Sequence, residues 1–191
     1  KISRAFTHGL YAHIGTDKDI PAPDVGTTPQ IMDWMMDEYN KISRSTGSNG
    51  VFTGKSILCG GSEGRNEATG RGVAMCVKEW ADTNSIDLKG KTFTVQGFGN
   101  VGKYAAYKLE SFGMKMIAVG DSKEYVHYDK GISVADLDEY VTEYGSIKGY
   151  SGATLGYYHA DKITQDAFWK IPANVIVPAA LEMSIGQTEA T

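Results

Sequence analysis

Apolar positions along the chain follow two periods, one helical and one extended. Ile31, Met32, Met35, Met36 and Tyr39 recur at helical spacing, behind Thr28 as N-cap and Pro29 at the first helical position. Residues 1–53 read as a helix, a loop and this second helix. The loop, residues 19–27, holds Pro21 and Pro23, which set φ and push the residues before them toward extended backbone. A polar stretch of Ser, Thr, Gly and Asn, from Ser43 to Gly50, closes the unit. The next helix starts near Asn66, with that side chain as its cap, and carries Val73, Cys76, Val77 and Trp80 on its apolar face.

After a turn at residues 87–91, Phe93 and Val95 mark a buried strand that runs into glycines. Residues 104–112 are helical, with Gly113 suited to the C-terminal cap, and residues 114–120 (MKMIAVG) form a second apolar strand. Strand, helix and strand in that order predict a parallel pair. Ser133-Val134-Ala135-Asp136 has the form of a capping box, opening a helix with Leu137, Tyr140, Val141 and Tyr144 on one side. Val175, Ile176 and Val177 before Pro178 read as a further buried strand, while residues 145–163 show no clear period.

Composition narrows the classes. In 191 residues, 41% hydrophobic and 22% charged, there is enough apolar material for a core, and for one large domain or one domain plus part of another. The net charge of −4 and the scattered basic residues argue against nucleic acid or an anionic membrane as partner. Cys59 and Cys76 make no disulfide framework and no C-x-x-C pair, so no metal site is expected and a reducing compartment is. No stretch has the apolar length of a membrane span. The start at Lys1 has neither the apolar core of a signal peptide nor an initiator Met, the form of an internal piece of a longer protein.

Chemistry concentrates at Gly97-Phe98-Gly99-Asn100-Val101-Gly102, a G-x-G-x-x-G placed after a strand and at the head of a helix. The first glycine makes the turn, the second lets a pyrophosphate approach the backbone, and the third lets helix pack on strand. The helix start supplies free N–H groups for phosphate. Asp121 ends the next strand, where a ribose-binding acid is expected. Together these predict an α/β fold with a Rossmann-type, doubly wound, mostly parallel sheet and a bound dinucleotide. Such a turn also serves flavins and S-adenosylmethionine, so the turn does not choose the chemistry. A second polar, small-residue segment runs from Gly61 through Arg65, Asn66 and Thr69 to Val73; taken alone it is an ordinary capped helix start. Asp24, in a proline-flanked loop, is by itself an ordinary turn former.

Four segments in order carry a resemblance: Pro-Asp-Val-Gly-Thr at 23–27, Gly-Arg-Asn-Glu-Ala-Thr-Gly-Arg-Gly at 64–72, Gln-Gly-Phe-Gly-Asn-Val-Gly at 96–102 and Pro-Ala-Ala-Leu-Glu at 178–182. The chain resembles the hexameric glutamate dehydrogenases, within a wider family that acts on leucine, phenylalanine and valine. The resemblance implies a two-domain α/β enzyme that deaminates L-glutamate to 2-oxoglutarate and ammonia with NAD or NADP. Residues 1–53 would be a strip of substrate domain and 54–191 an incomplete dinucleotide-binding domain. It implies Asp24 as the catalytic proton shuttle. It implies Thr69, with Arg65 beside it, at the nicotinamide carboxamide. Gly97, Phe98, Gly99, Asn100, Val101 and Gly102 would hold the pyrophosphate, Asp121 and Ser122 the adenosine ribose, and Ala179 and Ala180 a loop beside the cofactor. Asp121 would accept from a free 2′-hydroxyl and repel a 2′-phosphate, favouring NAD slightly, with Lys123 as an offset.

The chain departs from the resembled family in places. The glycine-rich segment with the catalytic lysine has no counterpart here, and Lys55 and Lys91 stand in the wrong contexts to replace it. Met183 stands where the family usually has Asn, and residues 150–163 look longer than the family's. His127 and His159 read as surface or packing residues. The expected partners are a small-molecule substrate and further copies of the chain in a cytoplasmic homo-hexamer, with neither nucleic acid nor membrane. Two other readings stand beside this one: a non-catalytic, truncated dinucleotide-binding module, and a branched-chain or aromatic amino-acid dehydrogenase.

Overall fold

In the computed structural model, which describes residues 1–43, 49–152, 160–187 and 189, the chain forms two compact units, Lys1–Asn66 and Glu67–Thr191. Residues 44–48 of the polar stretch, His159 and residues 153–159 of the segment expected to be long lie outside the described residues.

The first unit is built on α1 (Ile2–Leu10) and α2 (Pro29–Ser43). The helical spacing of the methionines puts Met32, Met35 and Met36 inward, where they pack with Ile14, Val51 and Phe52 in a small core. Thr28 Oγ accepts from Ile31 N at 3.4 Å, a long version of the expected N-cap. Arg4 reaches from α1 to Asp37 and Glu38 on α2. These ion pairs are half-buried at the rim of the unit and contribute little beside the buried methionines.

The second unit holds α3 (Arg65–Thr83, its first two residues in the first unit), β1 (Thr92–Gln96), α4 (Asn100–Ser111), β2 (Lys115–Gly120), β3 (Tyr125–Ile132), α5 (Val134–Tyr144), β4 (Asp161–Ile163), α6 (Gln165–Trp169) and β5 (Val175–Pro178). The sheet order is β4-β3-β2-β1-β5. β1 pairs in parallel with β2 and β5, while β3 runs antiparallel to both β2 and β4. β2 is buried along Met116, Ile117, Ala118 and Val119, the continuous apolar run of a strand covered on both faces. The fold is thus the expected α/β class, with a sheet in which only β3 opposes the common direction.

β3 and β4 were not evident as strands. The connection from β2 to β3 is the short turn at residues 121–124, too short for a crossover, so the two must pair antiparallel. Asp129, Lys130 and Gly131 interrupt the alternation of β3, and β4 has three residues, so neither shows a period. Ile176 of β5 is exposed, against the buried strand expected, because β5 pairs with β1 alone among the described residues.

Two helical expectations need correction. α3 opens at Arg65, which places Asn66 inside the first turn and not at the cap. Its buried face is Gly70, Ala74 and Ala81, flanked by half-buried Val73 and Val77, while Cys76 and Trp80 face solvent. The reason is close packing on α4. A Cβ built on Gly70 would lie 2.5 Å from the Val101 carbonyl oxygen and 2.6 Å from the Ala105 nitrogen. A large apolar residue has no room there, so bulk is pushed to the rim. Similarly, Leu137 of α5 is buried but Tyr144, expected on the same side, is 61% exposed.

Gly70→Val should force α3 and α4 apart. Overpacking at such a contact typically costs about 1–3 kcal/mol. The expected result is a lower denaturation midpoint for Gly70→Val and an unchanged one for Cys76→Ala; equal midpoints for both would refute the close helix contact.

Candidate functional site

β1 ends at Gln96 and α4 begins at Asn100, so the chain turns within residues 97–99. The glycines of this turn do different work. Gly97 has φ +90°, its N–H donates to the Gly120 carbonyl at 2.7 Å, and a Cβ on it would meet the Ala179 carbonyl oxygen at 2.6 Å. A Cβ on Gly102 would fall 1.8 Å from the Gly97 carbonyl oxygen. Both positions are closed to any side chain by the protein itself. Gly99 has an ordinary φ of −86°, and a Cβ on it would meet nothing within 4 Å. It is also the N-cap of α4 and offers no side chain to the first turn's N–H groups. Those donors face the end of an element with a partial positive charge.

Beside this turn lies a hollow of about 450 Å³. Gly97, Phe98, Gly99, Asp121, Ser122 and Ala180 line it, so the second unit brings these expected residues to one place. Asn100, Val101 and Gly102 form the adjacent first turn of α4, and Ala179 is tied to β1 by its N–H on the Gln96 carbonyl at 2.7 Å. Sequence reasoning missed Gln96, Tyr125 and Gln165, which also line it. The ring of Tyr125 lies against Gly120, where a Cβ would approach it to 2.0 Å. Gln96 is 6% exposed and its Oε1 has no hydrogen-bond partner among the described residues, a buried acceptor that only the three-dimensional arrangement reveals. His127, on β3, stands 3.0 Å from Asp129 and outside the hollow.

Asp121 is half-buried at the exit of β2. Its Oδ1 accepts from the N–H groups of Lys123 at 2.7 Å and Glu124 at 2.9 Å. Its Oδ2 accepts from the Ser146 hydroxyl at 2.7 Å and the Ile147 N–H at 3.0 Å. Burial pushes the carboxyl up, but these hydrogen bonds outweigh it and hold the group below the usual carboxylate range.

In the first unit, Asp24 is exposed in a turn closed by Thr27, whose N–H donates to the Asp24 carbonyl at 3.0 Å. Its own carboxylate accepts from the Val25 N–H at 2.7 Å. The loop is seated on Gly54, where a Cβ would come within 2.3 Å of Pro23, and Thr53 N donates to the Pro21 carbonyl at 3.1 Å. A second hollow, about 350 Å³, is lined by Thr53, Gly54, Lys55, Gly61 and Arg65 among others. Lys55 is buried there, its ammonium donating to the Phe52 carbonyl. Arg65 opens α3 and Thr69 follows one turn later; both are exposed. Among the described residues there is no group of three or more His, Cys, Asp or Glu placed to hold a metal. No described helix is long and apolar enough to cross a membrane.

Comparisons with known proteins match this arrangement. The family described as Glutamate/Leucine/Phenylalanine/Valine dehydrogenase matches residues 60–191, and that family's dimerisation domain matches residues 1–41. The chain is similar to the NAD-specific glutamate dehydrogenase of Peptoniphilus asaccharolyticus, 41% identical over 187 residues, 95% of this chain and 43% of that one. It is also similar to the NADP-specific glutamate dehydrogenase A1 of Halobacterium salinarum, 40% identical over 98% of this chain and 43% of that one. Among solved structures, it matches the hetero-hexameric glutamate dehydrogenase of Thermus thermophilus with TM-score 0.86 and 34% identity, over 98% of this chain and 42% of that chain. The glutamate dehydrogenase of Plasmodium falciparum matches with TM-score 0.89 and 31% identity, over 100% of this chain and 40% of that chain. The chain thus spans about 43% of the length of the curated relatives it matches.

The state of Asp121 has a pH signature. Its folded pKa is depressed, so the stability it contributes is present above the unfolded carboxyl's value, roughly 3.9. It is lost as pH falls through the lower folded value. Asp121→Asn should therefore melt below the wild type at pH 7, and the gap should narrow below about pH 4. Thermal melts at pH 7 and at about pH 3 check this; a gap of constant size would show that the carboxylate's charge is irrelevant.

Proposed function

Because the chain belongs to the glutamate/leucine/phenylalanine/valine dehydrogenase family, we propose that it serves the oxidative deamination of L-glutamate to 2-oxoglutarate and ammonia, with NAD or NADP. The observation that carries the reading is Gly99. The protein leaves a side-chain-sized space at that position and fills it with nothing of its own. Close approach of a ligand's pyrophosphate to the backbone accounts for a glycine there, beside an uncapped helix start.

The nicotinamide supplies the hydride acceptor. In this reading the first-turn N–H groups of α4, at Asn100, Val101 and Gly102, bind the pyrophosphate along residues 97–99. Asp121 and Ser122 belong to the ribose end, and Ala179 and Ala180 border the bound dinucleotide. Thr69 holds the carboxamide with Arg65 beside it. Asp24 takes and returns a proton of the substrate's amino group as hydride leaves the α-carbon. Its exposed carboxylate, which accepts from the adjacent Val25 N–H, suits that exchange. Residues 1–53 then act as part of a substrate and dimerisation region and 54–191 as the dinucleotide-binding region. The glutamate dehydrogenase names of the relatives support glutamate over leucine, phenylalanine or valine. Relatives specific for each dinucleotide support both as cofactors. A homo-hexamer in the cytoplasm fits the family's dimerisation domain and the two free cysteines.

Gly99→Val should leave the melting temperature unchanged, since nothing surrounds the new side chain, and weaken binding of NADH at least about tenfold, roughly 1.4 kcal/mol. A folded variant that binds NADH as tightly as the wild type would sink the assignment of the turn. Asp24→Asn retains an acceptor for the Val25 N–H, so the loop should persist. In the active enzyme kcat should fall by about 10²–10⁴, the usual contribution of a general acid–base group, with cofactor affinity intact. Undiminished turnover would reduce Asp24 to a turn residue.

A further inference from the structure

The hydrogen bonds of Asp24 among the described residues stay within its own turn. Its N–H donates to the Thr27 hydroxyl at 2.6 Å, its carbonyl accepts from the Thr27 N–H, and its carboxylate accepts from the Val25 N–H. These bonds shape the turn. Its place in the unit is set by α2 on one side and, on the other, by the meeting of Pro21-Ala22-Pro23 with Thr53 and Gly54. The Thr53 N–H donates to the Pro21 carbonyl at 3.1 Å. Gly54 has φ +65°, and a Cβ on it would stand 2.3 Å from Cγ and 2.7 Å from Cδ of Pro23. The Pro23 ring thus occupies the space that a side chain at 54 would take, one residue before the carboxylate.

The seat beneath that ring is anchored. Val51 and Phe52 are buried in the small core with Met32, Met35 and Met36, and the Phe52 ring meets Tyr39 of α2 edge-on with centroids 6.4 Å apart. The buried Lys55 ammonium donates back to the Phe52 carbonyl, closing the turn that holds Gly54. The Ser56 N–H donates to Asp33 of α2 at 3.0 Å. Gly61 packs so closely that a Cβ on it would fall 2.0 Å from the Lys55 carbonyl oxygen. Above the seat, Asp24 and Val25 are exposed. A proline ring cannot rotate out of the way of a new atom. A side chain at 54 would therefore displace Pro23, and Asp24 with it.

Resting on the reading of Asp24 as the proton shuttle, we propose that Gly54 is a positioning residue for the reaction: by having no side chain it seats Pro23 and sets where the Asp24 carboxylate stands. A group that exchanges a proton with the amine must lie within hydrogen-bond reach of it. Displacing the loop then acts on kcat through Asp24, and a misplacement of about 1 Å can cost on the order of 10²-fold in rate.

Glutamate turnover by the active enzyme tests this. Gly54→Ala should lower kcat by about 10- to 100-fold and leave NADH affinity unchanged. Pro23→Ala deletes Cγ and Cδ, the two atoms that a Cβ at 54 would strike. Added to Gly54→Ala, it should bring kcat back to the level of Pro23→Ala alone. The melting temperature should stay lowered, because alanine at 54 must still adopt left-handed backbone; a merely structural glycine would move the two readouts together. On an Asp24→Asn background Gly54→Ala should cost no further kcat, since the group it displaces is already gone. A folded Gly54→Ala with the wild-type kcat would overturn the proposal, as would an equal loss on the Asp24→Asn background. Pro23→Ala frees the loop without adding an atom, so it carries the test if Gly54→Ala does not fold: it should lower kcat beside Asp24 and not beside Asn at that position, and an equal loss in both would overturn the proposal. Undiminished turnover in Asp24→Asn alone would instead overturn the reading of Asp24 itself.

Discussion

The second unit depends on a close approach between backbones. The Gly97 carbonyl oxygen lies 1.8 Å from where a Cβ on residue 102 would be. Only a glycine at 102 lets the first turn of α4 lie on the end of β1. The same device recurs one layer out, where Gly70 lets α3 settle on Val101 and Ala105 of α4. Sheet, α4 and α3 are stacked through small residues, and the apolar bulk of the core, Phe93, Val95, Leu109 and Met116 among it, fills the space around those contacts. Packing at this density leaves little freedom for α4, whose N-terminus is therefore held at the mouth of the hollow.

That constraint separates two kinds of glycine that look identical in the motif. Gly97 and Gly102 are demanded by neighbouring backbone, and their replacement would damage the fold. Gly99 is demanded by none of the described residues. A glycine that the protein does not need for itself points outward, to whatever approaches the turn. The distinction is a matter of which atoms surround a Cβ, and it gives the motif a physical meaning beyond its spelling.

Asp121 performs the corresponding task at the end of β2. Donors from residues 123, 124, 146 and 147 converge on one carboxylate. They bind the β2–β3 turn to the chain that leaves α5, across a sequence separation of 25 residues from Asp121 to Ser146. The outcome is a hydrogen-bonded rim to the hollow, with Ser122 exposed upon it.

Much of this was legible in the amino-acid sequence. Local rules determined α2 behind Thr28-Pro29, the cap of α5 at Ser133, the apolar runs of β1 and β2, and the glycine turn between them, because each depends on residues within a few positions of one another. The ordered segments at 23–27, 64–72, 96–102 and 178–182 pointed to the family. Tertiary structure alone decided the rest. The antiparallel β3 exists because β2 offers it hydrogen bonds, and the short β4 because β3 does, not because their own pattern demands a strand. The inward face of α3 is its glycine and alanine side, against hydrophobic periodicity, because α4 is too near for Trp80 or Cys76 to fit between. Two of the four partners of Asp121 lie 25 and 26 residues away, so its role as a clamp could not be read from its sequence neighbours alone. Residue order sets what each segment can do locally; which neighbours occupy its donors, acceptors and free volume is settled only when distant parts of the chain meet.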